Sequence, residues 1–193
     1  MSILVESSLS TNLNLQKSNS LEVSAALLKA HSLKWLSEMK ATSVLVGGIL
    51  SIMHPELFTT GIRCITELGQ NYNDISKGSN LPEILESWGS PFNVISAIYN
   101  RNTPFHRDNG SAYPWYDILM PMGRYEDGRA EFPGLGLRLE YSPGSLVGHL
   151  GKVLRHGAKC SGNRACIAFY MREAVVKEME IPVGTWMTVA EYD

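Results

Sequence analysis

The pattern of apolar and polar positions divides the chain in two. Residues 21–39 (LEVSAALLKAHSLKWLSEM) set Leu21, Ala25, Leu28, Trp35 and Met39 at spacings near three, four and seven, the apolar stripe of an amphipathic helix. A second helix is predicted over residues 56–68, behind Pro55, because the missing N–H of proline does no harm in a first helical turn. Between them, residues 43–52 are rich in Val, Leu and Ile with two glycines, which predicts a buried strand. Residues 71–82 gather turn formers and read as a loop. After Pro91, short β-branched and aromatic runs alternate with Gly, Pro, Asn and Asp, the signature of antiparallel β-structure. The predicted strands are 93–100, 115–121, 135–141, 145–150 and 164–172, with 185–192 adding one more. Helices first and strands afterwards predict an α+β domain whose helices pack on one face of a sheet sandwich.

Composition narrows the class. A chain of 193 residues fits one hydrophobic core. It is 44% hydrophobic and 19% charged with a mean hydropathy of -0.07, so it reads as globular. The longest uncharged run, residues 41–54, falls short of the roughly 20 apolar residues of a bilayer span, so no membrane partner is expected. Residues 1–20 are polar and Ser/Asn-rich, without the basic and apolar regions of a signal peptide; they are expected to be a flexible tail ahead of a single domain over 21–193. The 3 cysteines, Cys64, Cys160 and Cys166, match no zinc or redox spacing, which points to a reducing compartment, nuclear or cytoplasmic. A net charge of -2 and a pI near 6.2 supply no global excess of positive charge for a phosphate backbone.

Chemistry concentrates around Pro104-Phe105-His106-Arg107-Asp108-Asn109. His106 and Asp108 are two apart, so in extended chain both side chains point the same way and share one ligand. One further histidine completes the 2-His-1-carboxylate face that suits iron(II). His156 and His149 compete for that place. His156 is favoured because Gly157 follows it and a strand headed by Arg164 comes next, returning a guanidinium toward the metal. Arg164 opens an apolar run (RACIAFYMR), where a buried guanidinium calls for a carboxylate, and its planar fork suits one. Arg172 has the same facing parity, within reach of the pocket or of solvent.

These residues resemble the TET/JBP family of 2-oxoglutarate dioxygenases, in particular its fungal members. The resemblance covers His54-Pro55-Glu56, PFHRDN, WYDILMPMGRYEDG, FPGLGLRLEYSPGSLVGHLGKVLRHG and NRACIAFYMRE, about two thirds of the chain. It implies a double-stranded β-helix, the jelly roll shared with cupins, with N-terminal helices against one sheet. It also implies that Fe(II), 2-oxoglutarate and O2 together oxidise a C–H group, and that the partner is DNA or RNA carrying a methylated base such as 5-methylcytosine. His106, Asp108 and His156 match the metal ligands, and Arg164 matches the residue that binds the distal carboxylate of 2-oxoglutarate. The family places a polar amide after the H-x-D to read the base; Asn109 and Ser111 both stand nearby, while Asn109-Gly110 equally suits a type I′ turn. Tyr113, Trp115 and Tyr116 are candidates to stack a flipped base or to fill the core. Arg101, Arg107 and Arg124 flank the site and suit either phosphates or ordinary surface pairs. A free small molecule, a nucleoside or fungal metabolite, is the alternative substrate for the same chemistry.

Overall fold

The computed structural model describes residues 9–15, 21–24, 26–27, 29–70 and 81–186. Four helices come from these residues: α1 (Ala30–Met53), α2 (Pro55–Gln70), α3 (Leu81–Trp88) and the short α4 (Glu173–Glu178). The strands are β1 (Leu9–Leu15), β2 (Leu21–Val23), β3 (Val94–Tyr99), β4 (Thr103–His106), β5 (Asp117–Phe132), β6 (Leu137–Glu140), β7 (Val147–His149) and β8 (His156–Tyr170).

The helical half differs from its predicted layout. Residues 43–52 are not a strand; they continue α1, burying Ser43, Val46 and Leu50 at helical spacing. Their β-rich composition loses to packing: a Cβ at Gly47 would lie 2.9 Å from Pro91 Cδ, so glycine lets the helix lie directly on the turn that leads into the sheet. Residues 21–23 form β2 where the amphipathic pattern predicted helix. As one continuous helix, His31–Met53 becomes long and apolar enough to cross a bilayer by length and composition, a property not seen in the shorter uncharged run. It also contributes Leu36, Val46 and Leu50 to the core, while Val44, Leu45 and Ile52 remain exposed.

α1 ends at His54, and Pro55 opens α2 as predicted. His54 is buried with both ring nitrogens engaged. Nδ1 accepts the Leu57 N–H at 3.2 Å, capping α2, and Nε2–H donates to Pro114 O at 3.0 Å. Burial lowers its pKa from 6.5, against hydrogen bonding to Pro114 O and the charge of Glu56, which raise it.

Within the segment expected to be a loose tail, Leu9–Leu15 forms β1, which pairs antiparallel with β3 and with β2. Most of the predicted loop over 71–82 lies outside the described residues, but α3 already begins at Leu81. Thr185 and Trp186 are irregular, and the rest of the predicted last strand lies outside the described residues.

The β half is a single sheet ordered β2-β1-β3-β8-β5-β6, with β4 on β8 and β7 on β5. Its spine is the β5–β8 ladder, which runs from Ile118↔Phe169 to Glu131↔Gly157 and is longer than either predicted strand. A 16-residue strand such as β5 would span roughly 50 Å if straight. Yet Phe132, at the end of β5, sits 5.5 Å from the ring of His149, which pairs with Asp117 at the beginning of β5. The ladder therefore curls back on itself, and its two halves become facing layers. The turn occurs where Gly123 (φ 118°) and Gly162 (φ 112°) adopt backbone that side-chain-bearing residues avoid and the register slips between Glu126 and Arg129. This is the expected double-stranded β-helix, with helices on one side. Leu57, Cys64, Leu68, Ile84 and Trp88 of the helices pack with Phe92, Ile95, Ile118 and Phe169 in one core.

Candidate metal and cosubstrate site

The roll encloses a cavity of about 410 Å3 between its two layers. His106 ends β4, His156 begins β8, and the two pair across the sheet. Asp108 stands two residues beyond His106, where its N–H donates to Gly151 O at 2.9 Å and pins the loop. His106 Nε2 lies 3.5 Å from Asp108 Oδ1, and His156 Nε2 lies 3.4 Å from Asp108 Oδ2. One ligand atom from each of the three falls within 4.8 Å of the others, and all three residues line the cavity.

Both histidines are oriented by the same device. His106 Nδ1 faces Pro104 O at 2.8 Å and His156 Nδ1 faces Leu154 O at 2.9 Å. A carbonyl oxygen only accepts, so each Nδ1 carries a proton, which leaves Nε2, the atom facing Asp108, as the nitrogen available to a metal. For His156, burial lowers the pKa, but the hydrogen bond and charge of Asp108 outweigh it and raise the value; burial likewise raises the Asp108 pKa, and His156 and His106 more than reverse it. Two nitrogen donors and a carboxylate, held ionised and converging, form the donor set that fits iron(II).

His149 takes a different place. It ends β7, is 4% exposed, and packs its ring 4.2 Å from that of His156. Neither ring nitrogen has a hydrogen-bond partner among the described residues. Burial, with the neighbouring His156, pushes its pKa down to about 3, so it stays neutral. With Asp108 and Asp117 it makes a second group of metal-ligand residues. Asp117 escaped the sequence reading. It is buried with Oδ1 unpartnered among the described residues, and burial followed by the charge of Asp108 raises its pKa well above the carboxylate range. The only signal was an acidic residue heading an apolar strand.

Arg164 does not open a strand; it lies inside β8, 3% exposed. Nη2 donates to Arg101 O at 2.6 Å, and the guanidinium lies 5.7 Å from the Tyr141 ring centroid. Its backbone N–H is held by Asn100 Oδ1 at 2.9 Å. Nη1 is buried without a partner among the described residues, on the wall of the same cavity as the three candidate ligands. A buried guanidinium edge with no carboxylate fits the acid group of 2-oxoglutarate.

The predicted substrate contacts separate. Asn109 lines the cavity, as does Ser111. Tyr113 is 67% exposed beneath the Lys152 ammonium, off the cavity wall. Trp115 belongs to the core: it is fully buried and Nε1–H donates to Gly184 O at 3.2 Å, so its face is closed to a base. Tyr116 packs on His54 and Trp186. Arg101 lines the cavity, and Arg107, Arg124 and Arg155 form no ion pair among the described residues.

Residues 14–173 match the family model Tet_JBP, the oxygenase domain of the 2OGFeDO superfamily. The chain belongs to this family. Tet_JBP oxygenase domains are Fe(II)- and 2-oxoglutarate-dependent dioxygenases, and a donor set of two histidines, one carboxylate and an anion-seeking arginine agrees with those cofactors. Solved structures with the same fold include NgTET1 in complex with 5mC DNA, at a TM-score of 0.60 and 15% identity. The similarity covers 86% of this chain and 61% of that one, so the chain spans less than two thirds of the NgTET1 chain. No curated protein matches it.

Proposed function

We propose that this Tet_JBP domain oxidises the methyl group of 5-methylcytosine in DNA, with His106, Asp108 and His156 holding Fe(II) and Arg164 anchoring 2-oxoglutarate. The observation that carries the cofactor assignment is the shared cavity: three converging donors and the unpartnered Arg164 Nη1 face one space. With 2-oxoglutarate and O2, the bound iron supplies the oxidising power for C–H cleavage. The chain supplies orientation. Pro104 O and Leu154 O fix the two imidazoles, Arg164 takes the distal acid group, and apolar walls such as Ile98, Leu119 and Phe132 exclude water.

Two observations support methylcytosine in DNA. NgTET1, which shares the fold, is known in complex with 5mC DNA. Arg101 on the cavity wall, and Arg107 and Arg155 beside His106 and His156 in sequence, make no ion pair among the described residues, which leaves positive charge near the site for phosphates in a chain of net charge -2. That overall negative charge favours the second reading, a free nucleoside or metabolite oxidised by the same chemistry. Succinate release decides between them, measured with duplex DNA containing 5-methylcytosine, unmethylated duplex and free nucleosides. Stimulation by methylated duplex, with hydroxymethylcytosine detected by mass spectrometry, is expected. Stimulation by nucleosides alone would overturn the DNA reading.

A further inference from the structure

Alternate residues of β8 and its exit, Arg164, Cys166, Ala168, Tyr170 and Arg172, all line the cavity. One strand face thus presents two guanidiniums, with Cys166, Ala168 and Tyr170 between them. Their α-carbons are eight residues apart along the chain, roughly 26 Å if it ran straight, so the two guanidiniums occupy different stretches of the wall. If Arg164 holds 2-oxoglutarate, as proposed above, Arg172 is left for the other substrate.

The surroundings of Arg172 are those of an unfilled anion subsite. Among the described residues its buried Nε has no hydrogen-bond partner, and the guanidinium makes no ion pair with either carboxylate of the cavity wall, Asp108 or Asp117. The adjacent Glu173 is committed elsewhere, to Lys152 at 3.4 Å and Lys177 at 2.8 Å. Ser111, 2% exposed and on the same wall, likewise has no partner for its Oγ among the described residues. The backbone is fixed as if position mattered. Fully buried Asn93 accepts the Arg172 N–H at 2.8 Å and donates to its carbonyl at 3.4 Å, while the next N–H, of Glu173, donates to Gly110 O at 3.0 Å. That last bond ties Arg172 to the loop carrying Ser111, where a Cβ at Gly110 would lie 3.9 Å from Nη1. A half-buried cation with no counter-charge is costly, and an oxyanion offsets that cost with charge-assisted hydrogen bonds.

We infer that Arg172 and Ser111 form a second anion subsite, which binds a phosphate or carboxylate group of the primary substrate. On the methylcytosine reading, that group is the phosphate of the target nucleotide. The test is calorimetric titration of the full chain with inorganic phosphate and, separately, acetate. In Arg172→Gln, phosphate affinity is expected to fall at least about tenfold, the loss for a hydrogen bond to a charged group, whereas in Arg164→Gln it persists. Ser111→Ala is expected to weaken phosphate by a smaller factor. Arg172→Lys, which keeps the charge without the fork, serves should the Gln variant lose its thermal transition, and is expected to bind phosphate more weakly than the wild type. Binding of acetate in preference to phosphate, with the same Arg172 dependence, assigns the subsite to a carboxylated substrate. No phosphate or acetate binding by the wild type, binding unaffected by either Arg172 variant, or a raised KM for 2-oxoglutarate in Arg172→Gln overturns the inference.

A second arm keeps this result apart from the methylcytosine reading. 5-Methyldeoxycytidine and its 5′-monophosphate are compared by succinate release; the KM preference for the monophosphate is expected to collapse in Arg172→Gln. An unchanged preference overturns the assignment to the nucleotide phosphate. Arg172-dependent phosphate binding without turnover of either compound supports the subsite and removes methylcytosine as the substrate.

Discussion

Two clusters of metal-ligand residues share Asp108, and they are built in opposite ways. In the first, His106 and His156 each give Nδ1–H to a backbone carbonyl two residues earlier and turn Nε2 toward Asp108 on the cavity wall. In the second, Asp117 and His149 are 3% and 4% exposed, and both carry polar atoms without a partner. Convergence of ligand types is therefore not enough. A ligand set also needs its ring orientation fixed by the neighbouring shell and an open side for cosubstrate, and only the first cluster has both.

The largest expected effect comes from the residue common to both. Asp108→Ala removes the carboxylate of either cluster, and metal affinity should fall more than about a hundredfold, beyond the range for outer-shell partners, with succinate release lost. A metal titration that leaves affinity intact would remove both clusters as the iron site.

Next is Arg164→Gln, which leaves the metal ligands in place but withdraws a charged hydrogen-bond donor. KM for 2-oxoglutarate should rise roughly ten- to a hundredfold, corresponding to about 1.5–3 kcal/mol. Equal loss of metal affinity would mean that Arg164 supports the ligands instead of the cosubstrate.

His149→Leu discriminates between the clusters directly. If the cavity-facing set binds iron, metal affinity should change less than about tenfold, because His149 makes no hydrogen bond to a ligand. A loss as large as that of His156→Ala would shift the metal to the buried set.

The smallest effect sharpens the meaning of a partnered buried histidine. His54, remote from the cavity wall, has both nitrogens bonded where His149 has neither. His54→Ala should cost about 1 kcal/mol, the scale of a lost helix cap, in chemical denaturation. Its pKa is lowered on folding, so below 6.5 the unfolded chain takes up a proton that the native ring resists. The contribution of His54 is therefore complete above pH 6.5 and declines as pH falls through the folded value. Stability measured from pH 7 downward should fall less steeply in His54→Ala; identical acid limbs would show that this ring does not carry the dependence.

Local pattern determined a good deal of this protein. Pro55 announced the start of α2, the turn-punctuated β-branched runs announced an antiparallel sheet, and the two-residue spacing of His106 and Asp108 put both on one side. Each of these depends on neighbours within a few residues, where backbone sterics and side-chain parity act. Tertiary structure decided the rest. Residues 43–52 became helix because Pro91, far along the chain, packs on Gly47. β5 and β8 curl at Gly123 and Gly162, and that curl alone brings Asp117 and His149 behind the candidate ligands and sets Arg164 and Arg172 along one cavity wall. Spacing along a chain specifies which side chains share a face, but which faces meet is set by long-range packing, and that is where His149 and His156 acquire different surroundings.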